Sequence, residues 1–220
     1  MTPAELAARI DQTLLRPDAT RRETMAFCES ALPHGFATVC VLPAWVADAV
    51  EILEGSATKV ATVVGFPHGG AAAAAKQVET ATVVADGAHE VDAVLNIAAL
   101  KSGADILVFD ELQAMCAVAD AAGAIVKVIL ECALLGDDEK RRACRLAVEA
   151  GAAFVKTSTG FGPHGATVAD VRLLRAAVGE AAGVKAAGGI KNVEFARSLF
   201  DAGADRIGTS SGIELLASVS

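Results

Sequence analysis

The feature that most constrains this fold is a glycine-alanine pair that recurs just before short apolar segments. The pair stands at 87–88, 123–124, 151–152 and 203–204, each time after a helical pattern and before an apolar run. A glycine at a helix C-terminus can adopt the left-handed conformation that ends the helix and turns the chain back. Gly35 and Gly183 are predicted to do the same without the alanine. The spacing therefore predicts helices and strands in regular alternation.

Eight strand–helix units can be placed along the chain. Predicted strands cover 10–15, 37–42, 59–64, 89–96, 125–131, the run beginning at 154, 184–187 and 205–208. Predicted helices cover 3–8, 20–32, 43–55, 71–85, 105–122, 137–150, 167–178, 192–202 and 213–217. Eight regular units predict an α/β fold of the (β/α)8 TIM-barrel type, formed by residues 1–220 as a single domain. A doubly wound open sheet is the alternative, but the GxGxxG fingerprint expected after its first strand is missing.

Composition limits the class of protein and its partners. Hydrophobic residues make up 53% of the chain and aromatic residues only 4%, which predicts a core of aliphatic side chains. The formal net charge of −8 argues against nucleic acid or an anionic membrane as the main partner, although a local pocket could still attract an anion. The sequence shows neither an apolar run of membrane-spanning length nor a signal peptide. Its five cysteines lack CxxC spacing, which is typical of a reducing, cytoplasmic protein without structural zinc.

The segment 154–161 places a lysine inside an apolar strand and ends in a turn rich in hydroxyls and glycine. An isolated ammonium group is costly to bury. Lys156 must therefore be paired with an acidic group, lie at the solvent-exposed rim of the barrel, or take part in the chemistry. Burial and a neighbouring cation both lower the pKa of a lysine, which would make Lys156 a Schiff-base nucleophile. A structural ion pair at the rim of the barrel is the alternative.

Further ionisable residues occur on the strands beside Lys156. Because side chains alternate along a strand, Asp92 and Lys127 are expected to face inward, and Glu131 shares the face of Lys127. If Lys185 also points inward, the barrel would enclose five ionisable side chains: Asp92, Lys127, Glu131, Lys156 and Lys185. An apolar core would collect such groups only if they paired or reacted. Two lysines beside a carboxylate can form an imine and move protons, whereas a purely structural ion network is the alternative.

Glycine-rich turns follow the last three predicted strands. Phosphate sites in barrels commonly use the loops after strands seven and eight together with a short extra helix. Backbone N–H groups in such loops can bind phosphate, although any single Gly-Gly could also be an ordinary turn. The residues expected to bind phosphate or the rest of the substrate are Gly160, Gly188, Gly189, Gly208, Ser210, Ser211, Lys127 and Thr157.

With these residues in view, the chain resembles the deoxyribose-phosphate aldolase family over nearly its whole length. The motifs that carry the resemblance lie at 10–15, 65–69, 90–92, 127–131, 155–161, 185–190 and 208–211. Lys-Thr-Ser-Thr-Gly at 156–160 followed by Lys-Ala-Ala-Gly-Gly at 185–189 is a highly specific pair.

The resemblance implies a reaction and the residues that perform it. The reaction is reversible cleavage of 2-deoxy-D-ribose 5-phosphate to D-glyceraldehyde 3-phosphate and acetaldehyde, in deoxyribose catabolism, with neither metal nor organic cofactor. Lys156 would be the Schiff-base lysine, Lys185 the lysine that tunes its pKa, and Asp92 the carboxylate that transfers protons. The family resemblance also favours a homodimer.

The chain departs from the family pattern at several places. Gln12 stands where a histidine is common, Cys132 where a threonine is usual, and Ala98 where a glycine is usual. Some family members also use a C-terminal tyrosine in proton transfer, and this sequence contains no tyrosine. These departures concern rate and substrate range more than reaction class.

Three questions stay open at this point. Cys40, expected near the mouth of the barrel, could be a target of aldehyde inactivation or simply a small core residue. Another Schiff-base barrel enzyme, such as a transaldolase, would share the lysine chemistry. A phosphosugar-sensing barrel would share the phosphate loops. Competence of Lys156 in imine formation separates catalysis from sensing, and turnover of deoxyribose phosphate separates the two enzymes.

Overall fold

The computed structural model describes residues 1–219, and its strands close into a barrel of eight parallel strands in chain order. The strands are β1 (Ile10–Leu14), β2 (Thr38–Val41), β3 (Lys59–Val64), β4 (Glu90–Val94), β5 (Ile125–Ile129), β6 (Phe154–Lys156), β7 (Gly183–Ala187) and β8 (Arg206–Thr209). β1 pairs with both β2 and β8, and this pairing closes the sheet. The predicted (β/α)8 TIM barrel is confirmed, and the open-sheet alternative is wrong.

Helices precede the first strand and connect successive strands. They are α1 (Pro3–Ala7), α2 (Arg21–Ala31), α3 (Val46–Leu53), α4 (Ala73–Ala85), α5 (Ile97–Lys101), α6 (Asp105–Ala121), α7 (Asp137–Glu149), α8 (Val168–Val178), α9 (Val193–Asp201) and α10 (Gly212–Ala217). α5 was not predicted, because five residues are too few to show a helical period; the Asn96 side chain caps it by accepting a hydrogen bond from the Ala99 N–H at 3.1 Å. Among residues 1–219, none of the helices is both long and apolar enough to cross a bilayer.

The glycines of the four glycine-alanine pairs end helices as predicted. Together with Gly35 they have φ between +68° and +109°, in the left-handed region: Gly87, Gly123, Gly151 and Gly203. The prediction for Gly183 is wrong. α8 ends at Val178, and Gly179, with φ of +54°, provides the turn instead. A Cβ at Gly183 would collide with the ring of Phe154, so this glycine serves the close packing of β6 against β7.

The interior of the barrel has an apolar side and a charged side. Cys40, Ala61 and Val63, from β2 and β3, form a small apolar cluster with Leu15. Ionisable side chains from β1 and from β4 to β8 occupy the other side. The main apolar core lies outside them, between the strands and the helices, where aliphatic side chains are fully buried. The charged groups are therefore enclosed by an apolar layer and must satisfy one another.

Candidate active site

Asp92, inside the barrel, accepts hydrogen bonds from three lysines. Its Oδ1 lies 2.6 Å from Lys127 Nζ, and its Oδ2 lies 2.7 Å from Lys156 Nζ and 2.6 Å from Lys185 Nζ. Asp92 lies opposite Lys127 in the register of β4 and β5. Lys156 lies opposite Lys185 in the register of β6 and β7. The structure thus brings together Asp92, Lys156 and Lys185, the three residues expected to carry the chemistry.

Three further ionisable side chains extend this group toward the N-terminal ends of the strands: Asp11, Glu90 and Arg206. Asp11 Oδ2 lies 2.5 Å from Lys185 Nζ, and Asp11 Oδ1 lies 2.6 Å from Arg206 Nη1. Glu90 Oε2 lies 2.8 Å from Lys127 Nζ and 3.3 Å from Arg206 Nη1. The seven side chains form one continuous set of ion pairs, which we call the ion network.

None of these three residues was among those expected from the sequence. Glu90 could have been found, because it stands two residues before Asp92 and therefore faces the same way. Asp11 and Arg206 offered no comparable signal. They meet because β8 pairs with β1, where Asp11 lies opposite Gly208, and that pairing joins two ends of the chain.

The ion network contains four basic and three acidic side chains, so its formal charge is zero only when one basic group is neutral. Lys156 is the group best placed to be neutral. Burial has the largest effect on its pKa and lowers it. Attraction to Asp92 opposes this lowering, and repulsion from Lys185 adds to it, leaving the pKa of Lys156 below its ordinary value. Burial is thus the main cause, and Lys185 is a contributor.

The other basic groups of the ion network have pKa values shifted the opposite way. Burial lowers the pKa of Lys185, but attraction to Asp11 and Asp92 outweighs it, so the pKa is raised. The pKa of Lys127 is raised in the same manner by Asp92, Asp11 and Glu90. These lysines in turn hold the pKa values of Asp92 and Asp11 below the usual range despite burial. Lys156 is thus the one lysine of the ion network whose pKa is lowered, and it lies beside a carboxylate and two lysines whose charged forms are favoured.

A cavity of about 430 Å³ opens over Lys156 at the C-terminal ends of the strands. Lys156 is the one member of the ion network that lines it. Five of the residues expected to hold phosphate also line it: Gly160, Gly188, Gly189, Gly208 and Ser210. Arg16 and Lys191 add positive charge, and the described lining includes no aspartate or glutamate. The cavity therefore favours an anion although the chain as a whole carries −8.

Three residues expected to bind substrate lie outside this lining. Lys127 is fully buried within the ion network. Thr157 is fully buried as well, and its hydroxyl accepts a hydrogen bond from the Ala187 N–H at 3.1 Å, which ties β6 to β7. Ser211 immediately precedes α10, and its N–H donates to the Thr209 hydroxyl at 3.0 Å. Lys127, Thr157 and Ser211 thus shape the walls of the site instead of facing the cavity.

Glu131 does not join the ion network, contrary to expectation. β5 ends at Ile129, and strand alternation no longer applies beyond it. Glu131 has φ of +56°, the one positive value among the non-glycine residues of 1–219. Its carboxylate accepts hydrogen bonds from the Thr159 N–H at 3.2 Å and from the Thr159 hydroxyl. Glu131 therefore orders the loop that carries Gly160.

Gln12 and the cysteines have structural places in this barrel. Gln12 Oε1 accepts a hydrogen bond from the Gly212 N–H at 2.9 Å, which ties β1 to the start of α10. Burial raises the pKa of Cys40 to about 11, so its thiol stays protonated at neutral pH. This supports a core role for Cys40 over a reactive one. All five cysteines are buried and free, and no group of three His, Cys, Asp or Glu side chains within residues 1–219 is arranged to hold a metal ion.

Comparison with known proteins finds similarity along nearly the whole chain. Residues 6–217 match the sequence model described as DeoC/LacD family aldolase. The deoxyribose-phosphate aldolase of Geobacillus sp. (strain WCH70) is 50% identical over 211 residues, which are 96% of this chain and 94% of that protein. The deoxyribose-phosphate aldolase of Caldanaerobacter subterraneus subsp. tengcongensis is 50% identical over 212 residues, 96% of this chain and 92% of that protein.

Solved structures share the fold at lower identity. A tetrameric deoxyribose phosphate aldolase from Aeropyrum pernix superposes with a TM-score of 0.92 at 37% identity, covering 99% of this chain and 92% of that chain. The aldolase QR15 superposes with a TM-score of 0.92 at 39% identity, covering 96% of this chain and 94% of that chain.

Proposed function

The chain belongs to the DeoC/LacD family of aldolases and is a lyase, and on that basis we propose that it cleaves 2-deoxy-D-ribose 5-phosphate reversibly to D-glyceraldehyde 3-phosphate and acetaldehyde. Family membership sets aside the phosphosugar sensor. One observation carries the proposal: Lys156, a buried lysine with a lowered pKa, faces the cavity with its Nζ 2.7 Å from a carboxylate oxygen of Asp92. A neutral amine with a proton carrier beside it is what imine formation requires.

In the proposed cycle, Lys156 Nζ adds to the C1 aldehyde of the open-chain sugar, and loss of water from the carbinolamine leaves an iminium ion. Asp92 Oδ2 moves the protons of these steps, since it lies within hydrogen-bond distance of Nζ. Removal of the proton from the 3-hydroxyl breaks the C2–C3 bond, and the iminium takes up the electron pair as an enamine. D-glyceraldehyde 3-phosphate leaves, the enamine carbon is protonated, and water then releases acetaldehyde and the free amine. The iminium is the electron sink, so these steps require no metal or organic cofactor.

Lys185 has two electrostatic effects on this cycle. It repels a proton on Lys156, and it neutralises Asp11 and Asp92, to which it lies at 2.5 and 2.6 Å. Both effects favour the neutral Lys156 amine. Lys127 supports the same state by contacting Asp92 Oδ1 at 2.6 Å. We therefore propose that the two lysines keep Lys156 reactive near neutral pH.

Replacement of Lys185 by leucine should raise the pKa of Lys156 and move the pH profile of imine formation upward. The sign follows because a repelling cation is lost and two carboxylates lose their partner, and both changes favour the protonated amine. We expect a displacement of about one to three pH units, measured as the rate of borohydride trapping of acetaldehyde against pH. Lys185→Arg, which keeps the charge, is the matched control. Lost activity with an unmoved profile would leave Lys185 a structural residue.

We infer that the substrate phosphate binds at the glycine-rich loops that line the cavity after β7 and β8. Gly188 and Gly189 have φ of +91° and +78°, and a Cβ at Gly188 would meet the backbone of Gly165. The two glycines allow a tight turn whose N–H groups are available to an anion. Lys191 supplies charge beside this turn, whereas Arg16, which also lines the cavity, forms ion pairs with two acidic side chains. Binding energy from the phosphate would position the reacting end of the sugar.

Replacement of Ser210 by glutamate tests this phosphate site. Ser210 lines the cavity, so a carboxylate there should repel the phosphate of the substrate. We expect kcat/KM for 2-deoxy-D-ribose 5-phosphate to fall by on the order of a hundredfold, while kcat/KM for unphosphorylated deoxyribose changes little. Ser210→Gln has the same size without the charge and serves as the control. An equal loss on both substrates would point to misfolding or to another role for this loop.

Substrate identity and assembly can be examined with the purified protein. Turnover of 2-deoxy-D-ribose 5-phosphate, followed by release of D-glyceraldehyde 3-phosphate, distinguishes the proposed reaction from that of a transaldolase or of an aldolase with another acceptor.

We also propose that the protein is a single-domain homodimer that works in deoxyribose catabolism in the cytoplasm. Its five free cysteines suit a reducing compartment. Light scattering on the eluted protein measures the number of subunits.

A further inference from the structure

Two chains of alternating charge connect Lys156 to Arg206 at the opposite end of the barrel. In one, Arg206 Nη1 lies 2.6 Å from Asp11 Oδ1, and Asp11 Oδ2 lies 2.5 Å from Lys185 Nζ. Lys185 Nζ then lies 2.6 Å from Asp92 Oδ2, the same oxygen that contacts Lys156 Nζ at 2.7 Å. Each contact in this chain joins opposite charges, so a change in the charge of Arg206 alters the electrostatic energy of a proton on Lys156.

The second chain of alternating charge runs through Glu90 and Lys127. Arg206 Nη1 lies 3.3 Å from Glu90 Oε2, and Glu90 Oε2 lies 2.8 Å from Lys127 Nζ. Lys127 Nζ reaches the other oxygen of Asp92 at 2.6 Å. Both chains therefore converge on the one carboxylate that contacts Lys156. At the end farthest from Lys156, both chains begin at the same residue, Arg206.

Arg206 differs from the other members of the ion network in its surroundings. It is the first residue of β8, at the opposite end of the strands from the cavity. Its side chain is 16% exposed, whereas those of the other six are at most 5% exposed. Its guanidinium also lies over the ring of Phe154 at 5.5 Å from the ring centroid. Arg206 therefore cannot touch a substrate held over Lys156, and its influence must be electrostatic.

We propose that Arg206 and Glu90 form a charge pair that sets the pH range in which Lys156 is reactive, acting as positioning residues through Asp11, Lys127 and Asp92. This inference rests on the proposed Schiff-base function and deepens it. The formal charge of the network explains the effect. With Arg206, Lys127 and Lys185 charged against three carboxylates, the network is neutral when Lys156 is an amine. Without Arg206, a proton on Lys156 would restore neutrality.

The groups that face Lys156 come from most of the barrel. The cavity side contributes Arg16 and Lys191, and the opposite side contributes the network. Cys40, from β2, is fully buried on the apolar side, and burial keeps it a neutral thiol with a pKa of about 11. The charged or titratable groups around Lys156 are therefore Asp11, Arg16, Cys40, Glu90, Asp92, Lys127, Lys185, Lys191 and Arg206.

The test compares three variants that change the charge of this pair, with glutamine in place of each charged side chain. Arg206→Gln removes a positive charge and should move the pH profile of Lys156 upward by about one unit. Glu90→Gln removes a negative charge and should move it downward. The double variant Arg206→Gln/Glu90→Gln keeps the net charge and should return the profile close to that of the unaltered protein. Mere structural damage would not produce shifts of opposite sign that cancel.

The readout is the rate of borohydride trapping of acetaldehyde on Lys156 as a function of pH. Acetaldehyde carries no phosphate, so titration of a substrate phosphate does not enter the profile. Arg206→Lys retains the charge and should leave the profile near its original position. Shifts of the same sign in both single variants, or no shift in either, would overturn the inference. If Arg206→Gln does not fold, Glu90→Gln is the test by itself. A downward shift of its pH profile supports the inference, and no shift or an upward shift overturns it.

Failure of this inference can be told apart from failure of the proposed function. If the unaltered protein forms no trapped adduct on Lys156, the Schiff-base function itself is wrong. If the adduct forms and 2-deoxy-D-ribose 5-phosphate is turned over, but the double variant keeps the profile of Arg206→Gln, the function stands and the charge-pair role is wrong.

Discussion

Replacement of Lys156 by methionine or by arginine is expected to leave a folded protein with no turnover above background. Lys156 lines a cavity of about 430 Å³, which leaves room for a longer side chain. Methionine is the closer match, since it resembles the neutral amine in length and leaves the ion network at a formal charge of zero. Arginine adds a permanent charge and cannot form a productive imine. The measurement is aldol cleavage by each variant, with thermal unfolding as the check on folding.

Trapping identifies the same lysine chemically. Incubation of the unaltered protein with acetaldehyde and borohydride should add one ethyl group, and peptide mapping should place it on Lys156. Lys127 and Lys185 are built into the barrel beside it but are held as cations by the carboxylates and do not line the cavity, so they are internal controls for selectivity. Labels spread over surface lysines, or cleavage of the sugar by Lys156→Met, would show that the Schiff-base mechanism is wrong.

Replacement of Asp92 by asparagine should separate imine formation from proton transfer. The amine of Lys156 survives, so trapping should persist, but turnover should fall by about 10²- to 10⁴-fold because the proton carrier is lost. The pH profile of trapping should move downward, since attraction to Asp92 raises the pKa of Lys156 in the intact protein. The variant should also lose about 3–5 kcal/mol of unfolding free energy, because three buried lysines lose a shared partner.

A neighbouring carboxylate provides the matched control for Asp92. Asp11 belongs to the same ion network and is equally buried, but its partners are Lys185, Arg206 and, at 3.6 Å, Lys127, not Lys156. Asp11→Asn should therefore destabilise the fold by a similar amount and retain most of the turnover measured near its own pH optimum. Equal losses of turnover in the two variants would assign Asp92 an electrostatic role and remove it as the proton carrier.

Much of the barrel could be predicted from local pattern. The helix-ending glycines predicted the alternation, and the strands fall close to the expected positions, because the left-handed turn and the apolar run are both properties of a few adjacent residues. The errors are also local. α5 has five residues and no visible period. Gly183 was mistaken for a helix end because it directly precedes an apolar run, whereas the turn lies four residues earlier, at Gly179.

In the candidate site, too, some residues could be placed from local pattern and others could not. Asp92, Lys156 and Lys185 could be predicted to share the barrel interior, because side chains alternate in strands. The register that sets Asp92 opposite Lys127 and Lys156 opposite Lys185 is known only from the structure. Glu131 could not be placed, since its positive φ turns the chain beyond the end of β5. The same alternation placed Lys127 inside the barrel but said nothing about how far it lies from the cavity.

The sequence by itself determined the barrel, the inward lysines and the glycine turns at its mouth, because each depends on residues that are close along the chain. Only the tertiary structure decided which of the inward lysines has its pKa lowered and which have theirs raised. That choice depends on the closure of β1 against β8, which brings Asp11 and Arg206 together and holds Lys185 as a cation. The energy of a charge depends on its burial and on its distance from other charges, and those distances exist only once the chain has closed.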